Sequence, residues 1–165
     1  MDNHCNTGSD NRLDGYLQAF KQLLNSIKGE NVVIAGTLAL KAHGLKMSRE
    51  TNDMDVVIYF PTHQQLQVLE NLQCLAIGKN AGDYPVESTR VLKFKKDGFN
   101  LDLLIEHAET PPNLLYYKYG GEMFKIQDIA YNMEAKNSFK TKEGQPRVKD
   151  LLDAIDLKQQ NFNVL

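Results

Sequence analysis

The chain of 165 residues has few cysteines, which cross-link small secreted proteins, and it lacks the long apolar runs that span membranes. It contains two cysteines, Cys5 and Cys74, and no tryptophan. One cysteine lies in a polar stretch and the other in an apolar run, which indicates free thiols rather than a disulfide framework or a zinc site. No apolar run approaches the length of a membrane span, and no charged-then-apolar leader opens the sequence. We therefore expect a cytoplasmic protein without membrane contact.

The chain also lacks a strong excess of charge of either sign. Lys and Arg number 19 and Asp and Glu number 21, so the formal net charge is −2. Proteins dedicated to long nucleic acids usually carry an overall basic surface, which this composition does not provide. A long nucleic-acid acceptor, bound without a partner protein, is therefore disfavoured.

The hydrophobic pattern predicts one domain behind a short tail. Residues 1–12 are polar and rich in Asn and predict a disordered tail. Residues 13–165 are long enough for a single domain with its own core. Apolar residues at helical spacing predict amphipathic helices over 13–27 and 62–72. Residues 78–89, rich in Gly, Asn and Pro, form either a substrate loop or an ordinary connection.

Two aspartates open a predicted strand that runs to Pro61. Side chains alternate along a strand, so Asp53 and Asp55 point to one face and Met54 to the other. Carboxylates roughly 6–7 Å apart along a strand repel each other, and next to apolar residues they need a cation between them. A hard divalent cation such as Mg²⁺ takes oxygen ligands in this arrangement. The alternative is a solvated strand start at the edge of a sheet.

A glycine-threonine step lies just upstream of the aspartates. Residues 31–35 predict a buried strand, and residues 38–44 predict a short helix that ends at a glycine. Free backbone N–H groups at such a turn suit a phosphate, Gly36 allows its close approach, and Thr37 offers a hydroxyl. An ordinary helix N-cap by Thr37 is the alternative.

A third carboxylate follows a predicted hairpin. Asp97-Gly98 is a strong two-residue turn signal, and the returning strand carries Asp102 between apolar residues. An ionised aspartate in such a strand needs a partner. That partner is either a cation shared with the two upstream aspartates or a lysine of the preceding strand, Lys93 or Lys95.

Residues 126–165 predict a helical C-terminal part with charged residues at helical spacing. These are Lys136 on the first helix or at its end, and Arg147, Lys149, Asp150 and Asp153 at the start of the second. Opposite charges three or four positions apart form ion pairs on a helix. Contact of the lysines with a triphosphate is the alternative.

The order of these motifs resembles the nucleotidyltransferase superfamily of the DNA polymerase β type. Its pattern is an apolar strand, Gly followed by Gly or Ser, a short helix, Asp-X-Asp on the next strand, and an acid on a later strand. The matching runs are Ile34-Ala35-Gly36-Thr37, Asp53-Met54-Asp55 and Leu101-Asp102-Leu103. Thr37 is the main departure, because it adds a methyl group where a phosphate passes.

The chain is similar in particular to the small bacterial subgroup related to the AbiEii toxin and the minimal nucleotidyltransferases. That subgroup shows a His-Gly step, an Arg-X-Thr-X-Asp-X-Asp run, a Lys on the penultimate helix, and an Arg-X-Lys-Asp-X-X-Asp run. The matching segments are His43-Gly44, residues 49–55, Lys136 and residues 147–153. The resemblance covers nearly the whole chain after Asn31.

The resemblance implies an α+β fold with a mixed sheet flanked by helices and a helical C-terminal part. It implies Mg²⁺ or Mn²⁺ held by the three catalytic acids, Asp53, Asp55 and Asp102. It also implies a set of residues that bind the nucleotide or its phosphates, namely Gly36, Thr37, Arg49, Lys136, Lys149 and Asp150. Within this set, Asp150 is implied as a positioning residue.

The implied activity is transfer of a nucleoside monophosphate from a nucleoside triphosphate to a hydroxyl group, in a bacterial cytoplasm. The acceptor stays open among an RNA end, a Tyr or Ser of a protein, and a small hydroxyl compound. The subgroup often works in toxin–antitoxin pairs, so an antitoxin or other protein partner is also implied. The alternative is a catalytically weak or inactive nucleotide- or partner-binding module with the same fold.

Overall fold

The computed structural model describes residues 11–72, 75–77, 90–111, 114–138, 140–141 and 143–160, without the side chains of residues 11, 75–77 and 90. The predictions for residues 1–10, for the loop 78–89 and for both cysteines lie outside this part. Within it, no helix is long and apolar enough to cross a membrane.

The described chain forms five helices and seven strands. Their order is α1 (Asn11–Ile27), β1 (Val32–Ala35), α2 (Gly36–Ala42), β2 (Asp53–Tyr59), α3 (His63–Asn71), β3 (Leu75–Ile77), β4 (Arg90–Lys96), β5 (Phe99–Glu106), β6 (Leu114–Tyr119), β7 (Glu122–Gln127), α4 (Ile129–Ser138) and α5 (Val148–Gln159).

All seven strands belong to one mixed sheet in the order β3-β4-β5-β2-β1-β7-β6. β2 pairs with β5 in parallel and with β1 in the antiparallel sense, while β7 pairs with β1 in parallel. The remaining neighbours, β3–β4, β4–β5 and β6–β7, are antiparallel. The predicted mixed sheet flanked by helices, with a helical C-terminal part, is thereby confirmed.

The two faces of β2 have different surroundings, as the alternation of its side chains predicts. Met54, Val56 and Ile58 are fully buried in the main core. The same core contains the apolar side of α1, where Tyr16 and Phe20 are fully buried. Asp53, Asp55, Val57 and Tyr59 alternate with these residues along β2 and line a cavity on the opposite face. α1 therefore packs against the apolar face of the sheet and does not cover the face that carries the carboxylates.

The predicted Asp97-Gly98 hairpin is confirmed. Both residues have positive φ, +52° and +84°, and the flanking Lys96 and Phe99 are paired. A two-residue turn of this kind matches the twist of the strands that it joins. The turn sets the register of β4 against β5, and this register brings Lys93 opposite Asp102.

Two boundaries predicted from sequence were wrong. Asn11 and Arg12, assigned to the polar tail, belong to α1. Ile126, assigned to the start of the C-terminal helices, lies in β7, and α4 begins at Ile129. The pairing of Ile34 with Ile126 across β1 and β7 explains the second error, because a strand partner outweighs the local helical spacing.

α5 buries charged side chains rather than its apolar stripe. Its stripe of apolar side chains is exposed, and consists of Val148, Leu151, Leu152 and Ile155. Asp150, Asp153 and Leu157 are buried instead. The helix turns its acids inward because cations from other elements surround them, as described below.

Candidate functional site

A cavity of about 430 Å³ lies on the sheet face opposite α1. Its lining comes from the β1–α2 turn, from β2 and β5, and from α4 and the start of α5. Gly36, Thr37, Arg49, Lys136 and Lys149, all predicted as phosphate contacts, are among its lining residues. The fold therefore brings together residues that lie more than one hundred positions apart in the chain.

The three predicted acids face this cavity from neighbouring strands. Asp55 on β2 is paired in register with Asp102 on β5, and on its other side with Ala35 on β1. Asp53 lies two residues before Asp55 and lines the same cavity. Adjacent strands are about 4.8 Å apart, so the Asp55 and Asp102 carboxyl groups are close neighbours.

Two of the three acids, Asp55 and Asp102, have raised pKa values, chiefly because they are buried. Burial, followed by repulsion from Asp53 and Asp55, raises the pKa of Asp102 to about 6. Burial also raises the pKa of Asp55, and the nearby Lys136 and Lys149 partly offset that effect. Both carboxyl groups are thus more costly to ionise than in water and would gain from an added cation.

One cation is already present between two of the acids. Lys93 Nζ lies 3.5 Å from Asp102 Oδ1 and 3.9 Å from Asp53 Oδ1. Asp102 Oδ1 is nevertheless buried without a hydrogen bond from the described residues. This ion pair is the alternative that the sequence left open for Asp102, and it is formed here beside the carboxylate cluster.

The backbone conformation and the close packing at residue 36 both require a glycine. Its φ of +68° is a left-handed conformation that glycine adopts without strain. A β-carbon at this position would overlap the carboxyl group of Asp55. The backbone of the β1–α2 turn can therefore lie directly against the carboxylate strand only because residue 36 has no side chain.

The Thr37 hydroxyl is fully engaged in a buried ion network. It donates a hydrogen bond to Asp153 Oδ2 at 2.8 Å and accepts from Arg49 Nη2 at 2.5 Å and from Lys136 Nζ at 3.1 Å. Thr37 is buried, although it borders the cavity. A direct bond from this hydroxyl to a phosphate stays a prediction, and its present partners are protein groups.

Asp153 is the centre of that network. It is fully buried and accepts from Arg49 Nη2 at 3.2 Å, while Lys136 Nζ lies 3.0 Å away. Burial alone would raise the pKa of Asp153, but the charges of Lys136 and Arg49 and the Thr37 hydrogen bond outweigh it and lower that pKa. Asp153 therefore joins α5 to the turn after β1 and to the segment before β2.

Asp150 belongs to the same network through a second arginine. Arg147 donates two hydrogen bonds to its carboxylate, at 2.6 and 3.1 Å, and Lys136 Nζ lies 3.6 Å from it. The helix-spaced pairing of Arg147 with Asp150 that the sequence allowed is thus formed. Lys136 is buried between Asp150 and Asp153, whereas Lys149 is exposed at the cavity.

The donor set fits a hard divalent cation by its chemistry. Three carboxylates border one cavity, Asp102 Oδ1 has no hydrogen bond from the described residues, and two of the pKa values are raised by burial. In the described part of the chain, however, no three His, Cys, Asp or Glu side chains already form a metal-binding group. Asp53, Asp55 and Asp102 are the residues that would hold Mg²⁺ or Mn²⁺, and that role stays a prediction.

Three residues at the site were not predicted to act there. Lys93 was considered only as a local partner of Asp102, and Asp153 only as a member of a surface ion-pair cluster. Asn132 carried no signal, because a lone Asn on a helix is ordinary. In the structure Asn132 lines the cavity and donates from Nδ2 to the Gly36 carbonyl at 2.8 Å.

Two solved structures share this fold. One is the crystal structure of a putative nucleotidyltransferase from H. pylori, which matches with a TM-score of 0.53 and 15% identity over 93% of this chain and 72% of that chain. The other is JHP933 from H. pylori, with a TM-score of 0.51 and 15% identity over 93% of this chain and 70% of that one. No protein-family model and no curated protein matches the chain.

At this level of identity the likeness shows the fold alone. The fold prediction made from the motif order is therefore confirmed. The narrower resemblance to the AbiEii-related subgroup stays a prediction.

Proposed function

We propose that this protein is a metal-dependent nucleotidyltransferase that moves a nucleoside monophosphate from a nucleoside triphosphate to a hydroxyl acceptor. The observation that carries the proposal is the side-by-side placement of the Gly36 turn, Asp55 and Asp102 at one cavity. The motifs that follow one another in the sequence thus lie next to each other in the structure. The fold shared with the two solved structures agrees with this arrangement.

The cations at the cavity suit a triphosphate. Lys149 is exposed there, and Lys136 and Arg49 line the wall between α4 and the β1–α2 turn. In the proposal, the backbone at Gly36 and these side chains bind the β- and γ-phosphates. The protein then acts mainly by positioning groups and balancing charge, as in other phosphoryl-transfer sites.

Asp53, Asp55 and Asp102 would hold the divalent cation, which when bound neutralises the charge that develops on the phosphate oxygens. In the proposed step, Asp102 accepts the acceptor's hydroxyl proton and the acceptor oxygen bonds to the α-phosphorus. The bond from that phosphorus to the β-phosphate oxygen breaks, and pyrophosphate leaves.

Thermal melting tests the binding half of this proposal. A ligand that binds only the folded state raises the melting temperature by mass action. Mg²⁺ with each of ATP, GTP, CTP and UTP should stabilise the wild type, and the double variant Asp53→Asn/Asp55→Asn should lose that shift. Asp97→Asn, at the hairpin turn, is the matched control and should keep it. Unfolding of the double variant without ligand would show that the two acids are structural and would contradict the proposal.

Labelling tests the transfer half. The protein is incubated with α-³²P-labelled triphosphates, Mg²⁺ and a cell lysate, and labelled RNA, protein and small molecules are separated. Transfer of label by the wild type and its loss in Asp102→Asn support the proposal, because Asp102 acts in the chemical step. The labelled molecule also identifies the acceptor class, including any antitoxin or other partner protein that is modified.

A nucleotide-binding module without transfer activity is the second candidate. Two observations favour it: Lys93 occupies the space between two of the acids, and the Thr37 hydroxyl is bonded to protein groups. This candidate predicts stabilisation by nucleotide without transfer of label to any acceptor. The wild-type labelling result therefore separates the two candidates.

A further inference from the structure

The side chain of Asn132 has a buried hydrogen-bonding atom that no described residue bonds. Asn132, on α4, is 1% exposed and lines the cavity. Its Nδ2 donates to the Gly36 carbonyl at 2.8 Å, and its Oδ1 is buried without a hydrogen bond from the described residues. Buried amide oxygens nearly always have a partner, and among the described residues this one has none, which makes a ligand in the cavity a candidate donor.

The orientation of the Asn132 amide follows from its neighbour. A backbone carbonyl only accepts hydrogen bonds, so the group that faces Gly36 must be the NH₂ end of the amide. Oδ1, at the other end of the same amide group, is then close to the turn at which the proposed phosphate tail binds. The missing partner is a donor that lies close to the phosphates.

Asn132 lies beside groups that are proposed to bind the phosphates. It bonds to the Gly36 carbonyl, and Lys136, one turn further along α4, lines the same cavity. Tyr131, Tyr59 and Leu104 line the cavity as well and offer aromatic and apolar surface to a base. In a nucleotide the sugar connects the phosphates with the base, so its hydroxyl groups are the donors next to the phosphate chain.

We propose that Asn132 Oδ1 accepts a hydrogen bond from a ribose hydroxyl of the bound nucleotide, which makes the site selective for nucleotides that carry this hydroxyl group. The inference rests on the proposed function and adds the class of nucleotide to it. A site with a buried acceptor for a substrate hydroxyl rejects the analogue that lacks it, because the acceptor is then left unpaired.

A cycle of ligand and protein changes tests this inference by binding alone. The probe is whichever ribonucleoside triphosphate binds the wild type most tightly, with its 2′-deoxy and 3′-deoxy forms, titrated with Mg²⁺ by calorimetry. The wild type should bind the ribonucleotide at least about tenfold more tightly than one of the deoxy forms. Asn132→Ala should bind both with nearly equal affinity.

The cycle also separates the two functions of the side chain. Loss of the hydrogen bond to Gly36 weakens all nucleotides alike, whereas loss of Oδ1 removes only the preference for the hydroxyl. Glu134→Ala, an exposed change on the same helix, should keep the preference. The inference is overturned if the wild type binds the deoxy forms equally well, or if the preference survives in Asn132→Ala. A wild type that binds no nucleotide at all would overturn the proposed function itself.

Discussion

Gly36 and Asp55 lie so close together that a β-carbon on the glycine would overlap the carboxylate. The contact joins the turn after β1 to the acid-bearing strand, and the φ of +68° at Gly36 is the backbone conformation that permits it. The two motifs found in the sequence are therefore one structural unit. Changes at either residue act on both the fold and the site.

The first prediction concerns the side chain at Gly36. Gly36→Ala should lose nucleotide-dependent stabilisation, and the overlap with Asp55 should destabilise the protein by about 1–3 kcal/mol beyond the backbone strain alone. Gly98→Ala is the matched control, because Gly98 also has positive φ but open space around its missing β-carbon. It should show only the strain, about 1–2 kcal/mol. Equal losses of unfolding free energy in urea for the two variants would contradict the contact.

The second prediction concerns the buried charge at Asp153. Asp153→Asn leaves Lys136 and Arg49 without their shared carboxylate and should cost about 3–5 kcal/mol of unfolding free energy. Asp156→Asn, one turn further along α5, is the control. Asp156 accepts hydrogen bonds from Ser48 at a half-exposed position, so its loss should cost about 1 kcal/mol or less. If urea denaturation gives similar values for both, Asp153 does not organise the network.

The third prediction concerns the ammonium group between the acids. Lys93→Met removes the cation near Asp53 and Asp102, so the metal-free protein should melt at a lower temperature. Mn²⁺ should bind more tightly, by on the order of three- to tenfold, since charge effects at half-exposed groups amount to about 1 kcal/mol. Free Mn²⁺ is measured by electron paramagnetic resonance.

Lys95→Met is the control for that change. Lys95 is exposed and two residues further along β4, so it shares a face with Lys93. It should leave both the melting temperature and Mn²⁺ affinity nearly unchanged. Weaker Mn²⁺ binding by Lys93→Met would mean that the lysine supports the cation instead of competing with it.

The fourth prediction concerns pH. The pKa of Asp102 in the folded protein, about 6, lies above its ordinary value of 3.8, so the folded state binds this proton more tightly than the unfolded state. On account of this group, the metal-free protein should gain stability as the pH falls from 7.5 towards 4. Stabilisation by Mg²⁺ with nucleotide should fall over the same interval, because protons compete with the cation.

The difference between wild type and Asp102→Asn isolates this group from the other acids. Melting temperatures of both proteins, measured from pH 4 to 7.5 without metal, should converge at the acid end, and the wild type should be the less stable at the neutral end. A difference that does not change with pH would show that Asp102 does not titrate in this range.

Much of the fold could be predicted from local patterns. The alternation in β2, the Asp97-Gly98 turn and the apolar stripe of α1 each follow from the preferences of a few neighbouring residues. The hairpin β6–β7 was not predicted, and Ile126 was assigned to a helix, because strands are stabilised by partners that are distant in sequence. The acids of the candidate site could be found because their types are unusual in apolar strands.

The sequence by itself determined the order of the site elements: a strand, the Gly36 turn, two aspartates on one face of β2, and a third acid on the strand after the hairpin. Only the tertiary structure decided what those groups contact. It placed Lys93 against Asp102, bonded the Thr37 hydroxyl to Asp153, and left Asn132 Oδ1 without a partner among the described residues. It also turned the acidic side of α5 inward and its apolar side outward. The physical reason is that a buried charge is stable only next to its counter-charges, and these come from α4 and from the segment before β2.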